Sequence, residues 1–182
     1  MGRLSRIVAA AVGAVLVFLI VVMAVSSSRT TGETADTPLM LKPAPEIDST
    51  TYDGSNFLLS RRRGSWVVLN FFNSTCIPCK REHPELLKFY ETQQQMGAEG
   101  AELYTVVNDD DESAVRAYFD ENGGGWPVIR DDDARIAVAY GVAKVPETWI
   151  ISPTGVVAQR YTGQITAEML GTAIEAMSGG GS

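Results

Sequence analysis

Thr75-Cys76-Ile77-Pro78-Cys79 holds the two cysteines of a 182-residue chain, with a proline between them. An apolar run, 66–72, comes just before and reads as a strand buried on both faces. A helical pattern, 80–95, follows. A Cys-x-x-Cys where a strand hands over to a helix is a redox arrangement. The first sulfur stands at the helix N-terminus, where unpaired N–H groups and the helix dipole favour a thiolate. The second lies one turn on, close enough to close a small disulfide. So small a ring stabilises a fold little, so its value is in opening and closing. Zinc is the competing use of a cysteine pair. It takes four ligands, whereas this segment offers Cys76, Cys79 and His83, so no metal is expected.

Working outward, residues 7–25 are apolar and uncharged, about the length that crosses a bilayer core. Arg3 and Arg6 precede them, which orients the remainder away from the cytoplasm. Residues 1–28 are therefore expected to be an uncleaved single-pass anchor in the cell membrane. A cleavable signal peptide is the alternative, since Ala24-Val25-Ser26 resembles a cleavage site. Residues 29–41, rich in Ser, Thr, Gly and Pro, read as a flexible tether. Residues 42–177 form the domain, and 178–182 a disordered tail. The chain carries 15 Lys+Arg and 22 Asp+Glu. With Arg3 and Arg6 set aside as anchor flanks, the domain is strongly acidic, which argues against nucleic acid as a partner.

Within the domain, 46–50 and 55–59 read as a hairpin around Tyr52-Asp53-Gly54. Strands are expected at 67–72, 102–107 and 127–130, with helices at 78–95, from 109 to 122, and at 134–140. A second hairpin, 147–151 with 156–161, turns at Pro153-Thr154-Gly155. A closing helix spans 166–177 with Thr166 as its N-cap. The alternation predicts an α/β fold whose core sheet is parallel, with antiparallel strands added by the last hairpin. Trp66, Trp126 and Trp149 are expected in the core, and His83 on the surface.

The Cys-x-x-Cys junction, with Val145-Pro146-Glu147-Thr148 ahead of a later strand, resembles the thioredoxin superfamily. Within it, the chain is similar to the membrane-anchored branch that includes TlpA, ResA and CcmG, the thiol oxidoreductases of cytochrome c maturation. The resemblance covers residues 42–177. Cys76 and Cys79 match the redox pair, Pro84 the proline of the active-site helix and Pro146 the cis-proline. Glu82 matches an acid near the active site, and Gly141-Val142 with Pro146-Glu147-Thr148 matches a motif of CcmG. Thr75 departs from the family, which has Trp there, and Asn70 replaces the buried Asp of thioredoxins.

The resemblance implies a thioredoxin-like fold: a central mixed sheet flanked by helices, an N-terminal hairpin extension and one transmembrane helix. It also implies roles. Cys76 attacks, Cys79 resolves, and Glu82 takes a proton. Pro78 tunes the potential and starts the helix. Val145 and Pro146 present backbone to a substrate strand, and Glu147 either lines that groove or caps its strand. The function implied is an extracytoplasmic thiol–disulfide oxidoreductase with no cofactor beyond the Cys76–Cys79 disulfide. Its expected substrate is an exported cysteine-containing protein such as apocytochrome c, with a transmembrane thiol donor to re-reduce it. An exported oxidant, a general disulfide reductase and a docking module with an idle cysteine pair are the alternatives.

Overall fold

A computed structural model describes residue 2, residues 11–21 and residues 32–179. The chain divides into two units, Met1–Thr30 and Thr31–Ser182. In the first, residues 11–21 are helical, with exposed apolar side chains such as Leu16, Phe18 and Ile20. Among the described residues no helix is long and apolar enough to cross a membrane. The rest of the expected anchor lies outside the described residues.

The second unit contains, among the described residues, strands β1 (Glu33–Thr34), β2 (Asp48–Thr50), β3 (Asn56–Leu58), β4 (Val67–Phe72), β5 (Glu102–Asn108), β6 (Val128–Asp131), β7 (Glu147–Ile151) and β8 (Val157–Thr162). Its helices are α1 (Ile77–Met96), α2 (Glu112–Asn122), α3 (Arg135–Tyr140) and α4 (Ala167–Ser178). The main sheet runs β1-β8-β7-β4-β5-β6, and β2 and β3 form a separate hairpin. β4, β5 and β6 are parallel, whereas β7, β8 and β1 are added antiparallel. The sheet is mixed, as expected.

β4 is the centre of this sheet and every residue in it is buried. Period-2 alternation sends Val67, Leu69 and Phe71 to one face, where they pack with Trp149, Ile129, Tyr140 and the Ile47 and Phe57 side chains. Val68 and Phe72 face the other way, onto layers that include Leu86, Phe89 and Leu170, and Cys79, Val115 and Tyr118. Asn70 shares that second face, so strand register alone aims a polar side chain under α1. The same logic holds for α1: Cys79, Glu82, His83, Leu86 and Phe89 follow helical spacing and are all buried. Trp126 and Trp149 are buried, and Trp66 packs against the core.

Thr166 caps α4, its Oγ1 accepting the Met169 N–H at 3.2 Å. Thr166→Ala should cost about 1 kcal/mol, read as a lower urea midpoint with unchanged slope.

The domain begins earlier than expected. Residues 32–41, expected within the flexible tether, run along β8 and make the outer edge of the sheet. Glu33 and Thr34 pair with Thr162 and Tyr161. The Ala35 N–H donates to the Arg160 carbonyl at 3.0 Å, and the Leu41 N–H to the Val157 carbonyl at 2.9 Å. An edge strand offers backbone donors and acceptors to any sequence, so docking needs no apolar period, and Leu39 and Met40 add core contacts. Gly32 is required by close approach: its N–H donates to the Gln164 carbonyl, and a Cβ there would lie 2.9 Å from that oxygen. At the other terminus, Ser178 closes α4 with its Oγ on the Ile174 carbonyl at 2.8 Å. Residues 180–182 of the expected tail lie outside the described residues.

Candidate active site

β4 delivers the chain to Asn73 and Ser74, and Cys76 is the N-cap of α1. Its Sγ accepts the Cys79 N–H at 3.2 Å, a cap made by sulfur in place of the usual oxygen. Cys76 and Cys79 are joined as a disulfide with Cα atoms 5.3 Å apart. The two sulfurs differ in access. Cys76 is half-buried, whereas Cys79 is only 2% exposed. Pro78 sits in the first turn of α1, where its missing N–H costs nothing. Ile77, beside it, is exposed. Pro84 is inside α1, where it has no N–H to give the Lys80 carbonyl.

The Val145–Pro146 peptide is cis. The Val145 carbonyl lies 3.6 Å from Cys76 Sγ. No backbone group of the described residues pairs with Val145. Next to it, a hollow beside Cys76 is lined by Asn73, Thr75, Asn108, Asp109 and Lys144. The exposed Thr75 is held locally, its N–H donating to Asn73 Oδ1 at 2.9 Å.

Beneath the pair lies a buried polar cluster. Glu82 is one turn after Cys79 and 1% exposed. Its Oε1 accepts from Asn70 Nδ2 at 2.6 Å and its Oε2 from the Ile165 N–H at 2.8 Å. Asn70 also donates to Thr148 Oγ1 at 3.1 Å. Burial pushes the Glu82 carboxyl up to about 8, with the bonds from Ile165 and Asn70 offsetting only part of it. Glu82 is thus mostly protonated at neutral pH. Asn70 suits this arrangement, since it supplies a donor without adding a second buried charge.

Two expected placements are corrected. Glu147, given the choice of lining the groove or capping its strand, is 1% exposed and cannot line it. Strand alternation turns it to the Trp149 face, where Arg160 grips both oxygens at 2.9 and 3.0 Å. Trp149 Nε1 donates to it as well, at 2.8 Å. His83, expected on the surface, is 2% exposed, because it follows Cys79 by four residues on the inward face of α1. Its Nε2 meets the Gly123 carbonyl at 2.9 Å within a ring of Tyr118, Phe119 and Trp126. Burial holds its pKa below the usual histidine value.

Other residues belong to the site without having been expected there. Asp110 holds Ser74 through both its N–H and its Oγ, the latter at 2.8 Å, and so fixes the approach to Cys76. Asp110 sits in the run Asp109-Asp110-Asp111, of which only the helix-start role was legible; Asp111 fills it as N-cap of α2. Gln164 donates from Nε2 to the Pro78 carbonyl at 3.1 Å. No local pattern marks Gln164, because its partner lies in a distant segment.

Residues 40–160 match the AhpC/TSA family. The chain belongs to this thioredoxin-like family. It is 32% identical over 127 residues to the thiol-disulfide oxidoreductase ResA of Bacillus subtilis (strain 168), covering 70% of this chain and 69% of that protein. It is 30% identical over 158 residues to ResA of Bacillus thuringiensis (strain Al Hakam), covering 86% of this chain and 90% of that one. A solved thiol:disulfide interchange protein of the thioredoxin family from Chlorobium tepidum TLS shares the fold, with a TM-score of 0.66 and 21% identity. That match covers 78% of this chain and 98% of the other. This member of the AhpC/TSA family is a thiol–disulfide oxidoreductase, and cysteine-containing proteins are its class of substrate.

Proposed function

We propose that this protein is an extracytoplasmic reductant of disulfides in exported proteins, with the haem-attachment cysteines of apocytochrome c as the preferred substrate. The observation that carries the reading is the asymmetry of the pair: a half-buried Cys76 at a helix N-terminus, and a buried Cys79 on the helix face that carries the buried acid Glu82 one turn later.

The Cys76 thiolate attacks one sulfur of the substrate disulfide. A Cys76–substrate S–S bond forms, the substrate S–S bond breaks, and one substrate thiolate leaves. Cys79 then gives its proton to Glu82, in the minority of molecules where that carboxyl is ionised at neutral pH, and attacks the Cys76 sulfur. The Cys76–Cys79 disulfide forms, the second substrate thiolate leaves, and two electrons have passed to the substrate. A carboxyl pushed up to about 8 by burial is a stronger base than an ordinary carboxylate, which suits it to take a thiol proton. The unpaired backbone of Val145, ahead of Pro146, offers the substrate an edge to pair with. A transmembrane thiol donor returns the two electrons.

The apolar residues 7–25 behind Arg3 and Arg6 support an anchor in the cell membrane with the domain outside. The resemblance to the cytochrome c maturation branch supports the substrate.

The test is the equilibrium potential of the Cys76–Cys79 couple against dithiothreitol. A reductant should fall near thioredoxin, about −270 mV, whereas a value near about −120 mV would mark an exported oxidant and overturn the direction.

A further inference from the structure

The Pro78–Cys79 peptide unit is engaged at both ends. Its N–H, carried by Cys79, donates to the Cys76 sulfur at 3.2 Å. Its carbonyl, carried by Pro78, accepts from Gln164 Nε2 at 3.1 Å. Only the NH2 end of an amide can face a carbonyl, so the orientation of the Gln164 side chain is fixed by chemistry. A hydrogen bond to a peptide carbonyl polarises the unit and strengthens its N–H as a donor. The gain is largest when the acceptor is charged, as a sulfur is when it becomes a thiolate.

The backbone that carries Gln164 is pinned on every side. Gly163 N–H donates to the Pro146 carbonyl at 3.0 Å, and Ile165 N–H to Glu82 Oε2 at 2.8 Å. The Gln164 carbonyl accepts from Gly32, which packs so closely that no side chain fits there. The loop thus touches the cis-proline turn, the buried acid and the interior of the Cys-x-x-Cys, and holds the Gln164 side chain on its target.

We propose that Gln164 is a positioning residue that stabilises the Cys76 thiolate at second hand, through the Pro78–Cys79 peptide. This rests on Cys76 being the attacking thiolate. The titratable and charged groups around Cys76 are Lys80, Arg81 and Glu82 on its own helix, Asp109 and Lys144 at the hollow, and Asp110 behind Ser74. None is altered in the variants below, so they set a common baseline.

The experiment uses the full chain carrying Cys79→Ser, which leaves one thiol and keeps the backbone N–H at position 79. The rate of iodoacetamide alkylation is followed against pH, alone and with Gln164→Met, which keeps the length of the side chain and loses the donor. Gln164→Ala is a second loss-of-donor variant. Each should raise the Cys76 pKa and lower the alkylation rate below that pKa about two- to threefold. A merely structural role would lower stability and leave the pH profile in place. A low Cys76 pKa that is identical with and without Gln164 overturns this inference alone. An ordinary thiol pKa in the parent protein overturns the assignment of Cys76 as the activated thiolate, and this inference with it.

Discussion

Cys76→Ser should abolish insulin reduction, taking the rate to the uncatalysed background, while Cys79→Ser should stall with substrate bound. The two cysteines are three residues apart yet differ in what can reach them. Cys76 is half-buried and lies below an unpaired Val145 backbone, whereas Cys79 is 2% exposed and packed with Phe72, Val115 and Tyr118. A substrate disulfide must approach a nucleophile to within bonding distance, and only the first sulfur allows it. Without Cys76 no bond to substrate forms. Without Cys79 the bond forms and nothing displaces it, so a mixed disulfide accumulates that a non-reducing gel detects and dithiothreitol releases. Activity surviving in Cys76→Ser, or covalent complexes forming in Cys76→Ser and not in Cys79→Ser, would reverse the two roles.

The second large effect is a pH dependence of stability. The Glu82 carboxyl titrates at about 4.3 in an unfolded chain and at about 8 in the fold. Below the lower value both states hold the proton, and burial of the acid carries no ionic cost. Between the two values the folded state binds more proton than the unfolded one, so stability falls as pH rises. Above about 8 the full cost is present, on the order of a few kcal/mol for a shift of this size. Glu82→Gln should remove that decline. The variant can be accommodated: its Oε1 accepts the Ile165 N–H, and its Nε2 faces Asn70 once that amide turns over. His83 acts in the opposite sense, since a depressed histidine pKa costs stability only as pH falls, and it cancels between the two proteins. Urea unfolding of both oxidised proteins at pH 5, 7 and 9 checks this. Parallel curves would mean that Glu82 is not a buried, protonated acid.

Much of this is legible in the sequence, and the exceptions have separate physical causes. The strands and helices of residues 46–178 fall where periodicity and turn residues put them, because those signals are local. His83 was equally legible: its spacing from Cys79 and Leu86 places it inward, and it is expected outside only because its neighbour Glu82 takes the inward side, whereas the buried face of α1 is wide enough to hold both. Glu147 was hidden by adjacency, since one residue along a strand is the opposite face. Gln164 and Asp110 answer to partners in distant segments, Pro78 and Ser74, and nothing beside them in sequence announces it. Residues 32–41 pair through backbone, which composition does not report.

The first described residues of the domain and the redox pair are joined by one short path: Gly32 rests on the Gln164 carbonyl, and Gln164 rests on Pro78 between the two cysteines. A change at Gly32 is therefore transmitted to the peptide that faces the Cys76 sulfur. A Cβ at Gly32 would lie 2.9 Å from the Gln164 carbonyl oxygen, so Gly32→Ala must displace the backbone that carries the Pro78 contact.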